Sequence, residues 1–506
     1  MGDGLVRFYK EKIKSQWKIT FIATMVIGLL THIYKFTNLL MNHDSVWNMY
    51  SDQNMVGSGR WFLSIACGFS SCFDLPWING LFSLIFIALT AVIIVELFNI
   101  DKSVPCILIA GILVTFPSVT TTFFFEFTAD GYMLAMLMSA IAVYLTTLEK
   151  RKMFFSVISV ILLCLSCGIY QAYISFALML VVCDFIIKII DAKLDNKECL
   201  KYIGKYMTIF ASALLLYYVV WKALMKIQGV TPTDYQGINS AGKININLTT
   251  IFGVIRSFAG FLIKEGIRDI YSILNIVFVI CWFVALVSVI VRKKIFKREI
   301  QLALLLLSCL AMPYCIYVLR FISHGVFYYT IMLQSFSLVY IFLVIISEKY
   351  IDLKFKSIVS VVLCIIIFNF SIIANKAYYI MDLNNKAMCS LGIKLATRIE
   401  QEMTSDNMRV AFVGEFSKLG EISEESKINI FYSEGMNLYG GLLYTGINSY
   451  MKNVIKADYN WASNELKKEL SKNEEVKNMS LWPLKGSVKV IDDVVVVKFS
   501  EEISEY

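Results

Sequence analysis

The chain has 506 residues, of which 58% are hydrophobic and only 17% are charged, and its mean hydropathy is +0.65. Soluble domains are about 45–50% apolar, so this composition excludes an ordinary water-soluble protein. The formal net charge of +8 does not indicate a nucleic-acid partner, because the basic residues lie between apolar runs rather than in one patch.

Apolar runs of about 20 residues recur along most of the sequence, and each is long enough to cross about 30 Å of hydrocarbon. The predicted fold class is therefore mainly α: a polytopic membrane protein with about eleven transmembrane helices in a lipid bilayer. The predicted spans cover residues 19–40, 77–98, 104–122, 130–148, 153–169, 171–190, 206–225, 270–291, 300–319, 326–346 and 357–374.

Lysine and arginine residues concentrate in every second loop between these spans, as in 150–152, 193–205, 292–298 and 349–356. Short loops rich in these residues stay in the cytoplasm. The N terminus, which is also basic, is therefore predicted to be cytoplasmic. An odd number of spans then places the segment after about residue 375 on the outer side.

Two apolar segments in the predicted outer loops are too short or too interrupted to span a bilayer. Residues 61–73 and 251–263 are predicted to be helices that lie in the membrane interface. Arg60, Arg256 and Lys264 would then point towards the lipid headgroups.

The composition changes from membrane-like to soluble near Asn375. We therefore predict two domains, a transmembrane catalytic domain over 1–374 and a small outer α/β domain over 375–506. The second begins with an amphipathic helix over about 386–403. A buried strand follows at 408–414, and a terminal hairpin at 488–499 turns at Asp492-Asp493.

Carboxylates stand out in the outer loops, because an isolated acidic side chain beside lipid is costly and is usually functional. Asp44 follows the first span and Asp52 lies eight residues on; either could act as a general base, and both could be solvated loop residues. Glu126 lies between phenylalanines and is harder to explain as a helix cap, so it is the better candidate for a functional carboxylate. Asp130 or Thr128 could instead cap the fourth span.

Cationic and amide side chains in the same loops are candidates for substrate binding. Arg60 and Arg320 could each form bidentate bonds to phosphate, and His324 follows Arg320 closely. The alternative for Arg320 is that its side chain extends to the headgroups. If neither arginine holds the phosphate, Lys264 or Arg268 is the next candidate. Gln171, in a tight outer turn, could bind a substrate hydroxyl or fix the turn.

Most of the 12 cysteines lie in apolar runs, where cysteine behaves as a small hydrophobic residue. No Cys or His spacing indicates zinc. Cys67 and Cys72 lie near an outer boundary, and we predict that they are reduced and packed, with a disulfide as the alternative.

Three short motifs occur in order along the chain: Asp44…Gly59-Arg60-Trp61, Phe116-Pro-Ser…Phe124-Phe-Glu126…Asp130, and Trp482-Pro-Leu-Lys-Gly-Ser…Val495-Val-Val-Lys498. Together with the predicted spans and outer tail, they resemble the bacterial GtrII glucosyltransferases, which belong to the C-type (GT-C) integral-membrane glycosyltransferases. The resemblance covers essentially the full length, and it rests on the order of the motifs more than on any one of them.

The resemblance implies a multi-pass hexosyltransferase of the bacterial cytoplasmic membrane, with glucose as the expected sugar. It implies an undecaprenyl-phosphate-linked sugar as donor and a surface polysaccharide as acceptor, on the outer face. No cofactor or metal is expected, because the leaving phosphate needs only cationic partners.

Carried over residue by residue, the resemblance makes Asp44 the leading base. The family's first-loop acids are closely spaced, whereas Asp44 and Asp52 are well separated here, so Asp52 stays a rival. Glu126 and Asp130 would line the same cavity. Arg60, with Trp61 beside it, or Arg320 would hold the lipid phosphate.

Two other functions fit the composition. A transporter or flippase of a lipid-linked sugar would show internal repeats and polar groups at mid-membrane, and neither is visible in the sequence. A non-catalytic assembly subunit could bind polysaccharide through its outer tail, and the loop carboxylates would then be dispensable.

Overall fold

The computed structural model describes residues 13–148, 151–233, 237, 246–263, 270–323, 326–414 and 446–501. The chain divides into two compact units. The membrane unit comprises the described residues of 1–38 and 52–375, and the C-terminal unit comprises those of 39–51 and 376–506.

The prediction of a mainly α, polytopic protein is confirmed. In the part of the chain that the structure describes, ten helices are long and apolar enough to cross a membrane. In chain order the helices are α1 (Ser15–Thr37), α2 (His43–Asn48), α3 (Leu63–Gly68), α4 (Pro76–Leu97), α5 (Ser103–Thr115), α6 (Pro117–Thr122), α7 (Glu126–Thr147), α8 (Lys152–Ile169), α9 (Ile174–Ile190), α10 (Asn196–Gln228), α11 (Leu248–Leu262), α12 (Ile270–Arg292), α13 (Glu299–Ile316), α14 (Leu319–Ile322), α15 (Ser337–Tyr350) and α16 (Leu353–Glu402).

Two predicted helical segments differ from the structure, each for a local reason. The span predicted over 104–122 is present as Ser103–Thr122, but it consists of two helices, α5 and α6, because Phe116 before Pro117 is extended, with ψ 141°. The predicted span over 357–374 and the amphipathic helix over 386–403 are one 50-residue helix, α16. The sequence becomes polar near Asn375, but a change in polarity does not by itself end a helix.

The predicted span over 326–346 is in the structure a 14-residue helix, α15, preceded by 3-10 turns at Thr330–Met332 and Gln334–Phe336. The Ser175 hydroxyl donates to Ser335 Oγ at 3.0 Å, and Tyr350 OH donates to Asp191 at 2.9 Å. Residues 335–350 therefore run parallel to α9 from one end of that helix to the other.

The two segments predicted as interfacial helices have different outcomes. Residues 251–263 are helical, within α11, as predicted. Residues 61–73 contain only the short helix α3, because the backbone turns at Ser71 and Cys72, where φ is 129° and 66°.

The C-terminal unit contains a four-stranded sheet with the order β2-β1-β4-β3. The predicted strand after residue 408 and the predicted hairpin are confirmed: β3 and β4 are antiparallel, and Asp492 and Asp493 have φ of 47° and 58°, as in type I′ turns. The strands are β1 (Arg409–Val413), β2 (Asn460–Trp461), β3 (Val488–Ile491) and β4 (Val494–Lys498), and the short helices are α17 (Ile447–Tyr450), α18 (Asn464–Lys472) and α19 (Glu474–Lys477).

The segment just after the first span belongs to the C-terminal unit. Val46 on α2 is fully buried in a core with Tyr450 and Met451, and the Asn453 amide donates to the Val46 carbonyl at 3.3 Å. The first outer loop is therefore divided between the two units at residues 51 and 52.

Candidate active site

The N-terminal end of α7 carries two of the predicted acidic residues. The helix begins at Glu126, and no side chain caps it. The cap predicted for Thr128 or Asp130 is therefore wrong: the Thr128 hydroxyl donates to the Phe125 carbonyl, and Asp130 accepts from the Gly131 amide at 2.9 Å. Capping of the helix therefore explains neither carboxylate.

Glu126 is paired with a lysine from the first span. Lys35 on α1 places its Nζ 3.1 Å from Glu126 Oε2, and each side chain is only 1% exposed. The Asn79 amide, on α4, donates to the Glu126 carbonyl at 3.0 Å and to the Phe73 carbonyl at 2.7 Å. Three helices and the turn before α4 thus meet at Glu126.

Further carboxylates surround this end of α7. Asp74 and Asp130 lie close enough to add negative charge at Glu126. Burial raises the pKa of the Cys72 thiol, and the charges of Asp52 and Asp130 raise it further, so Asp52 lies in the same electrostatic neighbourhood. The structure thus gathers Asp52, Glu126 and Asp130 in the membrane unit.

Arg60 approaches α7 from the first loop. Its Nη1 donates to Tyr132 OH at 3.1 Å, and its guanidinium lies 4.8 Å from the centre of the Tyr170 ring. The Tyr132 and Tyr170 rings are stacked, with centroids 4.5 Å apart. The plane of the half-buried guanidinium is therefore fixed by two aromatic side chains.

Side chains from two other elements anchor the loop that carries Arg60. The Gln171 amide donates to the Ser58 carbonyl at 3.0 Å and to Tyr217 OH at 2.9 Å. Tyr217 in turn donates to the Gly59 carbonyl at 3.0 Å, and Trp221 to the Val56 carbonyl at 2.7 Å. Gln171 thus ties down the first loop.

Trp61 packs inside the membrane unit. Its ring stacks with Tyr217 at a centroid distance of 6.5 Å. A Cβ on Gly168 would come within 2.7 Å of this ring, so a glycine is needed for the close approach. The Trp61 side chain thus shapes the base of the first loop.

The two candidate bases lie in different units. Asp44 is on α2 in the C-terminal unit; its Oδ1 lies 3.3 Å from His43 Nε2, and its side chain is 37% exposed. Asp52 is exposed in the membrane unit, and one of its oxygens accepts from the Asn54 amide at 3.0 Å.

Arg320 contacts protein groups. Its Nη1 donates to the Gly253 carbonyl at 3.2 Å and to the Ser257 hydroxyl at 2.8 Å, and its guanidinium lies 5.1 Å from the Tyr317 ring centre. It therefore joins α14 to α11. The predicted residues His324 and Lys264 lie outside the described part of the chain.

Cys67 and Cys72 are free and buried, as predicted. Burial and nearby acidic charge raise the pKa of both thiols, and only the thiolate reacts readily. At pH 7 we expect a maleimide to modify both slowly and the exposed Cys389 quickly, measured by mass spectrometry of the full-length protein. Equal labelling rates of Cys72 and Cys389 would contradict the burial and the raised pKa of the Cys72 thiol.

The family comparison matches the part of the chain that carries this cluster. The model of a family described as glucosyl transferase GtrII matches residues 33–346, which is more than half of the chain. The chain belongs to the GtrII glucosyl transferase family. Membership identifies it as a multi-pass membrane glycosyltransferase. No curated protein and no solved structure matches it.

The GtrII match covers two of the three motifs from which the resemblance was drawn. It includes Lys35, Asp44, Arg60 and Glu126, and it ends before the Trp482 motif. Among the described residues, no group of His, Cys, Asp and Glu side chains is arranged to hold a metal ion. Independence from metal stays a prediction.

Sequence reasoning missed several residues of this GtrII site. Lys35 was detectable, because a lysine inside an apolar span is as unusual as a carboxylate there. Asp74 and Asn79 follow the short helix α3 and carried no sequence signal. Tyr132 and Tyr170 resemble ordinary interfacial aromatics until their contacts with Arg60 are seen.

Proposed function

We propose that this GtrII protein transfers a hexose, with glucose expected, from undecaprenyl phosphate to a surface polysaccharide outside the cytoplasmic membrane. The family match supports glucosyl transfer. The observation that supports the lipid-phosphate donor is Arg60, whose guanidinium is held in a fixed orientation by Tyr132 and Tyr170. The phosphate of such a donor requires a cationic partner.

The general base must reach the acceptor hydroxyl, so it has to be accessible. Glu126 and Asp130 are almost fully buried, whereas Asp44 and Asp52 are not. We assign the base to Asp44, whose carboxylate lies beside the His43 imidazole, a group that can share the proton taken from the hydroxyl. Asp52 is the alternative.

The leaving group of the proposed reaction is the lipid phosphate, which gains negative charge as the bond to the sugar breaks. Arg60 is placed to stabilise it, because stacking on Tyr170 and the bond to Tyr132 orient the guanidinium before substrate arrives. Arg320 already donates to Gly253 and Ser257. The phosphate role is therefore proposed for Arg60.

The direct test uses membranes that contain the full-length protein, undecaprenyl-phosphate-linked glucose carrying a radioactive label, and the native surface polymer. Transfer predicts label in the polymer, with release of undecaprenyl phosphate. A flippase would move the labelled lipid across the bilayer without releasing it. A polysaccharide-binding subunit would do neither.

The side on which the C-terminal unit lies depends on whether residues 330–350 cross the membrane. Ten described helices meet the length and hydropathy required of a span, and α15 is too short to be among them. Residues 335–350 nevertheless accompany α9 over its whole length. Irregular backbone before a buried helix is tolerated at membrane depth, which supports an eleventh crossing.

Alkaline phosphatase fused after Tyr506 is expected to be active, because eleven crossings from a cytoplasmic N terminus place the C-terminal unit outside. The same reporter inserted in the basic loop at Lys294 is the control and should be inactive. Activity would be measured in whole cells and normalised to fusion abundance. An inactive C-terminal fusion of normal abundance would mean that residues 330–350 do not cross, and it would remove the outer-face proposal.

A further inference from the structure

The pairing of Lys35 with Glu126 is the most completely buried ion pair among the described residues. Their charged atoms lie 3.1 Å apart, and each side chain is 1% exposed, on helices that are long and apolar enough to span a membrane. Removing two charges from water costs more than their attraction returns unless other groups satisfy them, so such a pair is weak evidence of stability alone.

The surroundings of the pair contain an excess of negative charge. Asp74 and Asp130 both act electrostatically on Glu126, as does Lys35. Among the described groups that act electrostatically on Glu126, Lys35 carries a positive charge, and Asp74 and Asp130 carry negative charges. Without it, three carboxylates would share one neighbourhood, and each would disfavour the ionised form of the others.

The same pair joins the N-terminal end of α7 to α1. Glu126 is the first residue of α7, and its carbonyl accepts from Asn79 on α4. About one and two-thirds turns further along α7, Tyr132 OH accepts a hydrogen bond from the Arg60 guanidinium. A shift of this end of α7 would therefore move the proposed phosphate-binding arginine.

We propose that Lys35 is a positioning residue: a fixed internal cation that holds Glu126, and with it the first turns of α7, so that Asp130, Tyr132 and Arg60 keep the arrangement that transfer requires. Lys35 acts through these side chains and does not touch the substrate. This inference rests on the proposed glucosyl transfer. It assigns to Glu126, a predicted catalytic residue, the role of partner to the internal cation.

The test compares Lys35→Met, Glu126→Gln and the double variant in the full-length protein. Each single variant leaves one buried charge unpaired and should lower the melting temperature and membrane abundance. The double variant removes both charges, so its melting temperature and its membrane abundance should return to the wild-type values. Its kcat should stay about 100-fold below wild type, since a displacement of about 1 Å at a reacting centre can have that effect.

The matched control is the ion pair between Lys14 and Glu96, which joins the start of α1 to α4 with side chains that are more exposed. Lys14→Met combined with Glu96→Gln should leave kcat and KM unchanged. A Lys35/Glu126 double variant with normal melting temperature and normal kcat would overturn the proposal, because the pair would then be dispensable for transfer.

If the double variant fails to accumulate, Glu126→Asp replaces it, since this change keeps both charges and withdraws the carboxylate by one methylene. Positioning predicts a reduced kcat and a raised KM for labelled undecaprenyl-phosphate glucose, because Arg60 would shift with Tyr132. Unchanged values of both would overturn it. Failure of the wild-type protein to transfer glucose would instead reject the proposed function. The melting temperatures of the single and double variants would still report on the ion pair.

Discussion

Replacing Asp44 with asparagine is expected to lower kcat by about 10²–10⁴-fold, the usual contribution of a general base. The protein should still fold, because the cap of α2 is made by Asn42 and Ser45 and the Asp44 side chain is 37% exposed. Asparagine keeps the size of the side chain and loses only its ability to take a proton. Donor affinity should remain normal, and single-turnover kinetics with labelled donor would measure the change.

Two further variants make the Asp44 result specific. Asp52→Asn preserves the oxygen that accepts from the Asn54 amide, so the turn should persist and activity should stay near wild type. Asp458→Asn removes an exposed carboxylate from the C-terminal unit and serves as the control. Normal turnover in Asp44→Asn together with a large loss in Asp52→Asn would transfer the role of base to Asp52.

The architecture was largely predictable because hydrophobic length is a strong signal. Apolar runs located the long helices, and alternation around Asp492-Asp493 located the terminal hairpin. The errors arose where the polarity of the sequence does not indicate the backbone geometry. A proline divided α5 from α6, and α16 continued through Asn375 although the chain there becomes polar.

The site was predictable only in part, because sequence gives the types of residues but not their partners. Glu126 and Arg60 are unusual residues for their places in the sequence, yet nothing in the sequence links Glu126 to Lys35 across 91 positions. Asp44 and Asp52 are eight residues apart, and the sequence predicts that they share one loop. The structure places them in separate units, since α2 packs with the core of the C-terminal unit.

Arg60→Lys is expected to weaken binding of the lipid-phosphate donor by about 10- to 100-fold, which corresponds to losing a charged hydrogen bond of about 1.5–3 kcal/mol. Lysine retains the charge but has no planar fork, and it cannot stack on Tyr170 while donating to Tyr132. Equilibrium binding of undecaprenyl-phosphate glucose to the purified protein in detergent would measure the effect.

Arg320→Lys is the matched comparison, because both arginines carry one positive charge against tyrosine rings. Arg320 donates to Gly253 and Ser257, so its replacement should lower the melting temperature and leave donor affinity near wild type. The reverse pattern, with normal donor affinity in Arg60→Lys and weak donor affinity in Arg320→Lys, would assign the phosphate-binding role to Arg320. Normal affinity in both variants would move it to Lys264 or Arg268, because a lipid phosphate still needs a cationic partner.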